Sequence, residues 1–267
     1  MTRSALRTGR MLQVAGASAA ALLTLSACSS ATGSDKGSSP GKPSGTVTVF
    51  AAASLEESFK TLGKRFEKEH PGTKVTFNFG GSDTLAASIT SGAPADVFAA
   101  ASTKTMATVT DQRDAAGTPA TFVRNRLEIA TPPGNPDRIS TLKDLTKPGL
   151  KVVLCDKTVP CGAAARKALD AGGLKLTPVS YEQDVKSALT KVELKEADAA
   201  VVYQTDVRAA GDKVAGVNFP ESAQAVNDYP IALLKNAPNP KAAKAFIALV
   251  RSAEGHKVLS RAGFLKP

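Results

Sequence analysis

Short apolar strands alternate with amphipathic helices along most of this sequence. The apolar residues of 55–70 recur at spacings of three and four, which predicts one such helix. Further strands are predicted at 75–79, 96–100, 127–130, 152–154, 199–203 and 214–219, and further helices at 84–91, 162–171, 184–195 and 239–251. Strands that alternate with helices form parallel sheets covered by helices on both faces, so the sequence predicts an α/β fold.

Two of the predicted strands end next to a serine that is followed at once by a helix. These serines are Ser54 and Ser82. A serine at such a junction offers its hydroxyl, and the first turn of the helix has unpaired N–H donors and a partial positive charge. Ligands of α/β folds bind at the carboxyl ends of the strands, so the two junctions together predict a site for one small oxyanion. A simple N-cap role is the alternative for each serine.

Residues 1–27 have the features of a bacterial secretion signal. Three arginines in the first ten residues precede a stretch of small and apolar residues that ends in Leu-Ser-Ala-Cys at Cys28. Small and hydroxyl residues dilute this stretch, which favours a signal peptide over a membrane-spanning helix. The final motif resembles the lipobox of bacterial lipoproteins and predicts that lipidated Cys28 anchors the protein to the extracytoplasmic face of the cell membrane. Ordinary secretion with a chance cysteine is the alternative.

Residues 28–45 are predicted to be a disordered tether, because serine, glycine, proline and lysine dominate them and no large apolar residue occurs.

The net charge of the chain is +10, and it is +7 without the three arginines of the predicted signal. The lysines are scattered without aromatic residues between them and tryptophan is absent, so nucleic acid is not a predicted partner. The excess charge is typical of a solvated surface that faces an anionic cell envelope.

Three sequence motifs resemble the molybdate-binding component of bacterial ABC importers. They are Phe-Ala-Ala-Ala-Ser-Leu at 50–55, Gly-Ser-Asp-Thr-Leu-Ala at 81–86 and Gly-Ala-Pro-Ala-Asp-Val-Phe at 92–98. The resemblance implies a type II periplasmic-binding-protein fold, in which two α/β lobes with mainly parallel sheets close on a tetrahedral oxyanion in the cleft between them. Lobe one is then expected to comprise 46–126 and 225–267, and lobe two 127–224.

The same resemblance implies a ligand, its contacts and its partners. The ligand is molybdate or tungstate, no cofactor is needed, and a monomeric receptor delivers the ion to a membrane permease and its ATPase. Hydroxyl groups and backbone N–H groups contact the oxygen atoms, and no side chain binds the metal directly. The implied contacts are the hydroxyls of Ser54, Ser82 and Tyr203 and the backbone N–H groups of Cys161 and Val185.

Two features depart from the pattern of that family. Cysteine replaces the usual alanine at 161, which a backbone donor tolerates. Gly80, Gly81 and Asp83 replace serines around Ser82, and a carboxylate at 83 would repel a dianion unless it points away. A receptor for another small oxyanion, such as sulfate or phosphate, is therefore the main alternative. Phosphate is partly protonated and favours a site with an acceptor, whereas molybdate needs donors only.

Cys155 and Cys161 are separated by a five-residue turn that is short enough for its ends to meet, and Cys28 is assigned to lipid. We therefore expect a Cys155–Cys161 disulfide, with a metal pair as the alternative.

A secreted serine hydrolase is an alternative function of a different class. Its support is a Ser-x-x-Lys match at 39–42 within the predicted tether, and the chain has only two histidines for a catalytic triad. We expect a binding protein and not an enzyme.

Overall fold

The computed structural model of the chain describes residues 42–267. The predicted signal peptide, Cys28 and most of the predicted tether lie outside the described residues. The strands are β1 (Gly45–Ala52), β2 (Thr73–Gly80), β3 (Val97–Ala99), β4 (Ala120–Asn125), β5 (Leu127–Thr131), β6 (Val152–Cys155), β7 (Ser180–Glu182), β8 (Ala199–Tyr203), β9 (Ala215–Val217) and β10 (Asn227–Leu233). The α-helices are α1 (Glu56–Glu69), α2 (Ser82–Thr90), α3 (Thr103–Asp111), α4 (Pro160–Ala171), α5 (Val185–Glu193), α6 (Gln204–Ala210), α7 (Pro240–Arg251) and α8 (Ala253–Ala262).

The strands form two separate five-stranded sheets. The first sheet has the order β2-β1-β3-β10-β4 and the second has the order β7-β6-β8-β5-β9. We call the part of the protein around the first sheet lobe one and the part around the second sheet lobe two. The strands of lobe one come from 45–125 and 227–233, whereas those of lobe two come from the continuous stretch 127–217. The predicted α/β fold with two lobes is confirmed.

Each sheet is mixed but mainly parallel, as the resemblance implied, because four of its five strands run in one direction. β1 is parallel to β2 and β3, but β10 is antiparallel to β3 and β4. In the second sheet β6 is parallel to β7 and β8, but β5 is antiparallel to β8 and β9. The one reversed strand is β10 in the first sheet and β5 in the second, and each is the first strand that the chain forms after it crosses from one lobe to the other.

An aromatic cluster forms the core of lobe one on one face of its sheet. Phe59 and Phe66 of α1 are fully buried and meet Phe246 of α7 edge-to-face, with ring centroids 6.0 and 5.6 Å apart. This geometry is favourable between aromatic rings and adds to the burial of their apolar area. The regular apolar spacing of α1 thus anchors the helix, and the turn that precedes it, against the sheet.

The two lobes are connected by two strands that run side by side. The chain leaves lobe one after Asn125 at the end of β4 and returns to it at Asn227, the first residue of β10. These two asparagines are opposite each other in the antiparallel β4–β10 pair. The two passages therefore form one paired hinge at the base of the cleft. In the part of the chain that the structure describes, no helix is long and apolar enough to cross a membrane.

Candidate functional site

A small cavity lies between the lobes, where β1, β2 and β8 end and where α2, α4 and α5 begin. All five residues proposed as ligand contacts line this cavity, namely Ser54, Ser82, Cys161, Val185 and Tyr203. Its empty volume, including the space that is open to solvent, is about 200 Å³. Because this volume includes the open mouth, the space enclosed between the lobes is smaller still and excludes drug-sized organic molecules.

Ser82 presents a hydroxyl hydrogen to the cavity. It is the first residue of α2, it is buried, and its Oγ accepts a hydrogen bond from the backbone N–H of Ala101 at 3.0 Å. An oxygen that already accepts from an N–H group must direct its own hydrogen elsewhere. No described residue accepts that hydrogen, so the Ser82 hydroxyl is available as a donor.

Ser54 lies in the short 3-10 turn Ala53–Leu55, which connects β1 to α1. Its Oγ lies 2.8 Å from Oη of Tyr229, and Asn125 Nδ2 donates to that same Oη at 3.4 Å. Burial raises the pKa of Tyr229, which therefore keeps its proton. When Tyr229 donates to Ser54, the hydroxyl hydrogen of Ser54 is free to point into the cavity.

Tyr203 at the end of β8 supplies the third hydroxyl. Its ring is almost completely buried, and its Oη accepts a hydrogen bond from Asn227 Nδ2 at 2.8 Å. Burial raises the pKa of Tyr203 well above its ordinary value, so this phenol also stays protonated. Because the amide occupies the acceptor side of the oxygen, the O–H group is left as a donor. Asn227 also donates to the carbonyl of Pro160 at 3.3 Å and thereby holds the start of α4 beside Tyr203.

Two helix starts in lobe two supply backbone donors. Cys161 is the second residue of α4 after Pro160, and Val185 is the first residue of α5. Within 42–267 neither backbone N–H group has an acceptor. Such first-turn N–H groups carry the positive end of the helix dipole and attract anions. The N-cap Asp184 also borders the cavity, but both of its carboxylate oxygens accept hydrogen bonds from Ser187.

Asp83 points to the contact between the lobes and not to the cavity. Its Oδ2 lies 3.4 Å from the hydroxyl of Thr158, which belongs to lobe two, and Asp83 is not a lining residue. The neighbouring Gly81 also lies at this contact, because a Cβ there would be 2.5 Å from the carbonyl oxygen of Gln183. The departures from the family pattern at these two positions are therefore features of the surface where the lobes meet.

The structure contains the predicted disulfide between Cys155 and Cys161, with their Cα atoms 5.8 Å apart. Cys155 ends β6 and Cys161 belongs to the first turn of α4, so the bond fixes the turn that aims this helix start at the cavity. Among the described residues, no group of three histidine, cysteine or carboxylate side chains could hold a metal ion. The disulfide leaves no thiolates at this place for a metal pair.

Sequence reasoning missed the residues that support the hydroxyls from behind. Asn125, Asn227 and Tyr229 lie on β4 and β10, for which no strand was predicted. Pro230 in the middle of β10 obscured the strand, because proline lacks the donor that a central strand normally uses. The apolar run over 229–234 was the available signal.

Comparison with known proteins decides the family. Residues 47–265 match the family model of bacterial extracellular solute-binding proteins. The chain is a member of this family. It is 43% identical to the molybdate-binding protein ModA of Mycobacterium tuberculosis over 91% of this chain and 93% of the relative. It is 32% identical to ModA of Escherichia coli over 82% of this chain and 89% of the relative.

The solved structure of the periplasmic molybdate-binding protein of Azotobacter vinelandii has the same fold. It matches with a TM-score of 0.73 over 83% of this chain and 99% of that chain. The sequence identity is 20%, so this likeness concerns the fold of the solute-binding protein.

Replacement of Asn227 tests its role in this solute-binding protein. Asn227→Ala leaves the buried Tyr203 oxygen and the Pro160 carbonyl without their donor, so the free energy of unfolding should fall by about 1–3 kcal/mol. Urea denaturation measures this change. The exposed Asn236 provides the control, because Asn236→Ala should change stability by less than about 0.5 kcal/mol. Equal stability of the two variants would contradict the role of Asn227.

Proposed function

We propose that this protein binds molybdate, and also tungstate, with high affinity outside the cytoplasm and delivers the ion to an ABC permease and its ATPase. The observation that carries the proposal is the donor set of the cavity. Lobe one supplies the hydroxyls of Ser54 and Ser82, and lobe two supplies the Tyr203 hydroxyl and the N–H groups of Cys161 and Val185. The similarity to ModA proteins over most of the chain supports the same ligand.

A site made of donors suits a fully deprotonated dianion. Hydrogen bonds to a charged acceptor each contribute about 1.5–3 kcal/mol net, so five of them can offset the desolvation of the ion and the ordering of the lobes. The resulting affinity is roughly micromolar to nanomolar. All five contacts form only when both lobes surround the ion, so binding favours the closed arrangement. A permease can then distinguish the loaded receptor from the empty one by its shape.

Other ligands and a catalytic role are less well supported. A partly protonated phosphate requires an acceptor, and the oxygens of the one bordering carboxylate, Asp184, are engaged by Ser187. Sulfate matches the donor set and must be excluded by size. A serine hydrolase needs a base beside its nucleophile, yet Ser54 and Ser82 contact Tyr229 and the Ala101 N–H instead of a histidine. We therefore infer a binding protein without enzymatic activity or cofactor.

The location follows from the N-terminal sequence. We propose that residues 1–27 direct secretion, that lipid on Cys28 holds the protein at the outer face of the cell membrane, and that 29–45 provide reach to the permease. The family of extracellular solute-binding proteins is consistent with this compartment. We propose a monomer, because one chain provides all five contacts of the cavity.

Calorimetry with competing anions tests the ligand. Molybdate and tungstate should bind with micromolar or tighter dissociation constants, and phosphate should bind at least about a hundredfold more weakly, which corresponds to about 2.7 kcal/mol. Sulfate competition measures the selectivity by size. Equal affinities for molybdate and phosphate would refute the proposed donor-only site.

Single substitutions in the cavity test the individual contacts. Ser54→Ala, Ser82→Ala and Tyr203→Phe should each weaken molybdate binding by about 1.5–3 kcal/mol, since each removes a hydrogen bond to a charged acceptor. Titration calorimetry measures the change, and circular dichroism checks that the fold remains. Ser88→Ala on the exposed side of α2 and Tyr181→Phe on exposed β7 are matched controls that should bind as the wild type does. If the cavity variants also bind normally, the ligand lies elsewhere.

Reduction of the disulfide tests its role at the start of α4. Closing so short a loop stabilises the fold by only about 2–2.5 kcal/mol on the chain-entropy model. We expect reduction to lower molybdate affinity more than it lowers the melting temperature, because the turn before the Cys161 N–H loses its order. The double variant Cys155→Ser/Cys161→Ser, with and without reductant, controls for effects of the reductant itself. Identical affinities of the oxidised and reduced forms would exclude this role.

A further inference from the structure

A buried carboxyl group lies directly behind the lining of the cavity. Asp206 is near the start of α6 and is 1% exposed. One of its oxygens, Oδ2, accepts a hydrogen bond from the backbone N–H of Tyr203 at 3.1 Å. The other oxygen, Oδ1, is buried without a hydrogen-bond partner in the described part of the chain. The group is therefore costly in its charged form and is attached to the strand end that carries the Tyr203 hydroxyl.

One cation partly compensates this charge, and it belongs to the second ligand-bearing element. Lys186 Nζ lies 3.9 Å from Asp206 Oδ1, and Lys186 directly follows Val185 at the start of α5. The distance is too long for a good hydrogen bond. Asp206 thus lies between the two places in lobe two where Tyr203 and Val185 face the cavity.

Charged groups on several elements pack against α6, but only those of α5 act on Asp206. From α5, Asp184 opposes the charge of Asp206 and Lys186 favours it. Glu128 of β5 interacts with Arg126 and Arg208, and Arg208 donates to the carbonyl of Arg261 on α8. Asp212 and Lys213 belong to the exposed turn that follows α6. The groups that interact with Asp206 inside the cleft are therefore Lys186, Asp184 and the hydroxyls of Tyr203 and Tyr229.

Burial, partly opposed by Lys186 and by the Tyr203 N–H, raises the pKa of Asp206 from 3.8 to about 7. Burial is the main cause of the raised pKa values of Tyr203 and Tyr229, and the charge of Asp206 is a smaller cause. Asp206 therefore acts electrostatically on Tyr203, which lines the cavity, and on Tyr229, which contacts the lining residue Ser54. A dianion in the same cavity must act on Asp206 in the same sense and disfavour its charged form further.

We propose that Asp206 is a positioning residue that takes up a proton from solvent when the anion binds, so that ligand capture is coupled to protonation. The neutral carboxyl still holds the Tyr203 N–H through Oδ2 while the repulsion between two anions disappears. The affinity for the anion is then highest at pH values below the pKa of Asp206 in the ligand-free protein, and it falls as the pH rises through that pKa. The inference depends on the proposed oxyanion function and adds a proton to it.

Calorimetry of the purified protein with molybdate between pH 6 and pH 9 tests the coupling, because molybdate remains a dianion over this range. In HEPES and Tris, whose ionisation enthalpies differ, the wild type should take up a fraction of one proton near neutral pH. Its affinity should fall about tenfold from pH 6 to pH 9, which corresponds to a pKa shift of one unit on binding. Asp206→Asn keeps the shape of the side chain and should show neither proton uptake nor the fall.

Two further variants keep the test decisive. Glu128→Gln removes another partly buried carboxyl with a pKa raised by burial, and it should retain the pH dependence of the wild type. Lys186→Met removes the cation that lowers the pKa of Asp206 and should move the fall in affinity to higher pH, even if Asp206→Asn does not fold. A wild type without proton uptake, a variant Asp206→Asn with normal uptake, or a midpoint unchanged by Lys186→Met would each overturn the inference. A wild type that binds no molybdate would instead overturn the proposed function.

Discussion

A helix that begins inside a protein must find acceptors for its first N–H groups, and this requirement governs the cleft. α4 and α5 both begin at the cavity, and the N–H groups of Cys161 and Val185 have no acceptor among the described residues. An anion is the species that satisfies such groups and the helix dipoles together. Anion binding and lobe closure are therefore coupled, because the donors of both lobes reach one ion only when the lobes are closed.

The support behind these donors is as specific as the donors themselves. Asn125 and Asn227 face each other across the paired hinge strands, and they reach Tyr229 and Tyr203 respectively. The hinge strands thus supply an amide donor to Tyr229, which contacts Ser54 in lobe one, and another to Tyr203 in lobe two. Each phenol oxygen accepts a hydrogen bond from its asparagine. Gly81 and Asp83 contribute differently, because they shape the surface where lobe one meets Gln183 and Thr158 of lobe two.

Local patterns in the sequence were sufficient for the helices and strands whose spacing is regular. The helix predicted at 55–70 is α1 at Glu56–Glu69, and the strand predicted at 199–203 is β8. The serine junctions were visible for the same reason, since each combines a strand end with a helix start. Their convergence on one site was predictable because both follow strands of one α/β lobe. The contribution of Cys161, Val185 and Tyr203 from lobe two was available only through the resemblance to a family, because spacing along a chain does not give distances between lobes.

Features that depend on distant pairing could not be predicted from local patterns. β10 contains Pro230 and pairs with β4, which lies about a hundred residues earlier, so its antiparallel direction and its asparagine are properties of the complete sheet. Asp206 was missed for a related reason. An aspartate near the start of a helix is ordinarily an exposed, charged residue that interacts with the helix dipole. Burial of Asp206 behind Tyr203 makes its charged form costly instead.

The discontinuous make-up of lobe one has a consequence for biogenesis. All strands of lobe two come from one uninterrupted stretch, 127–217, whereas the sheet of lobe one remains incomplete until β10 inserts between β3 and β4. A chain that emerges from a secretion channel N-terminus first therefore exposes the apolar edges of β3 and β4 while lobe two can already fold. Pairings of such long sequence separation form slowly, and the waiting edges are prone to aggregation. The interval before β10 arrives is thus the stage at which extracytoplasmic chaperones and proteases would compete for this protein.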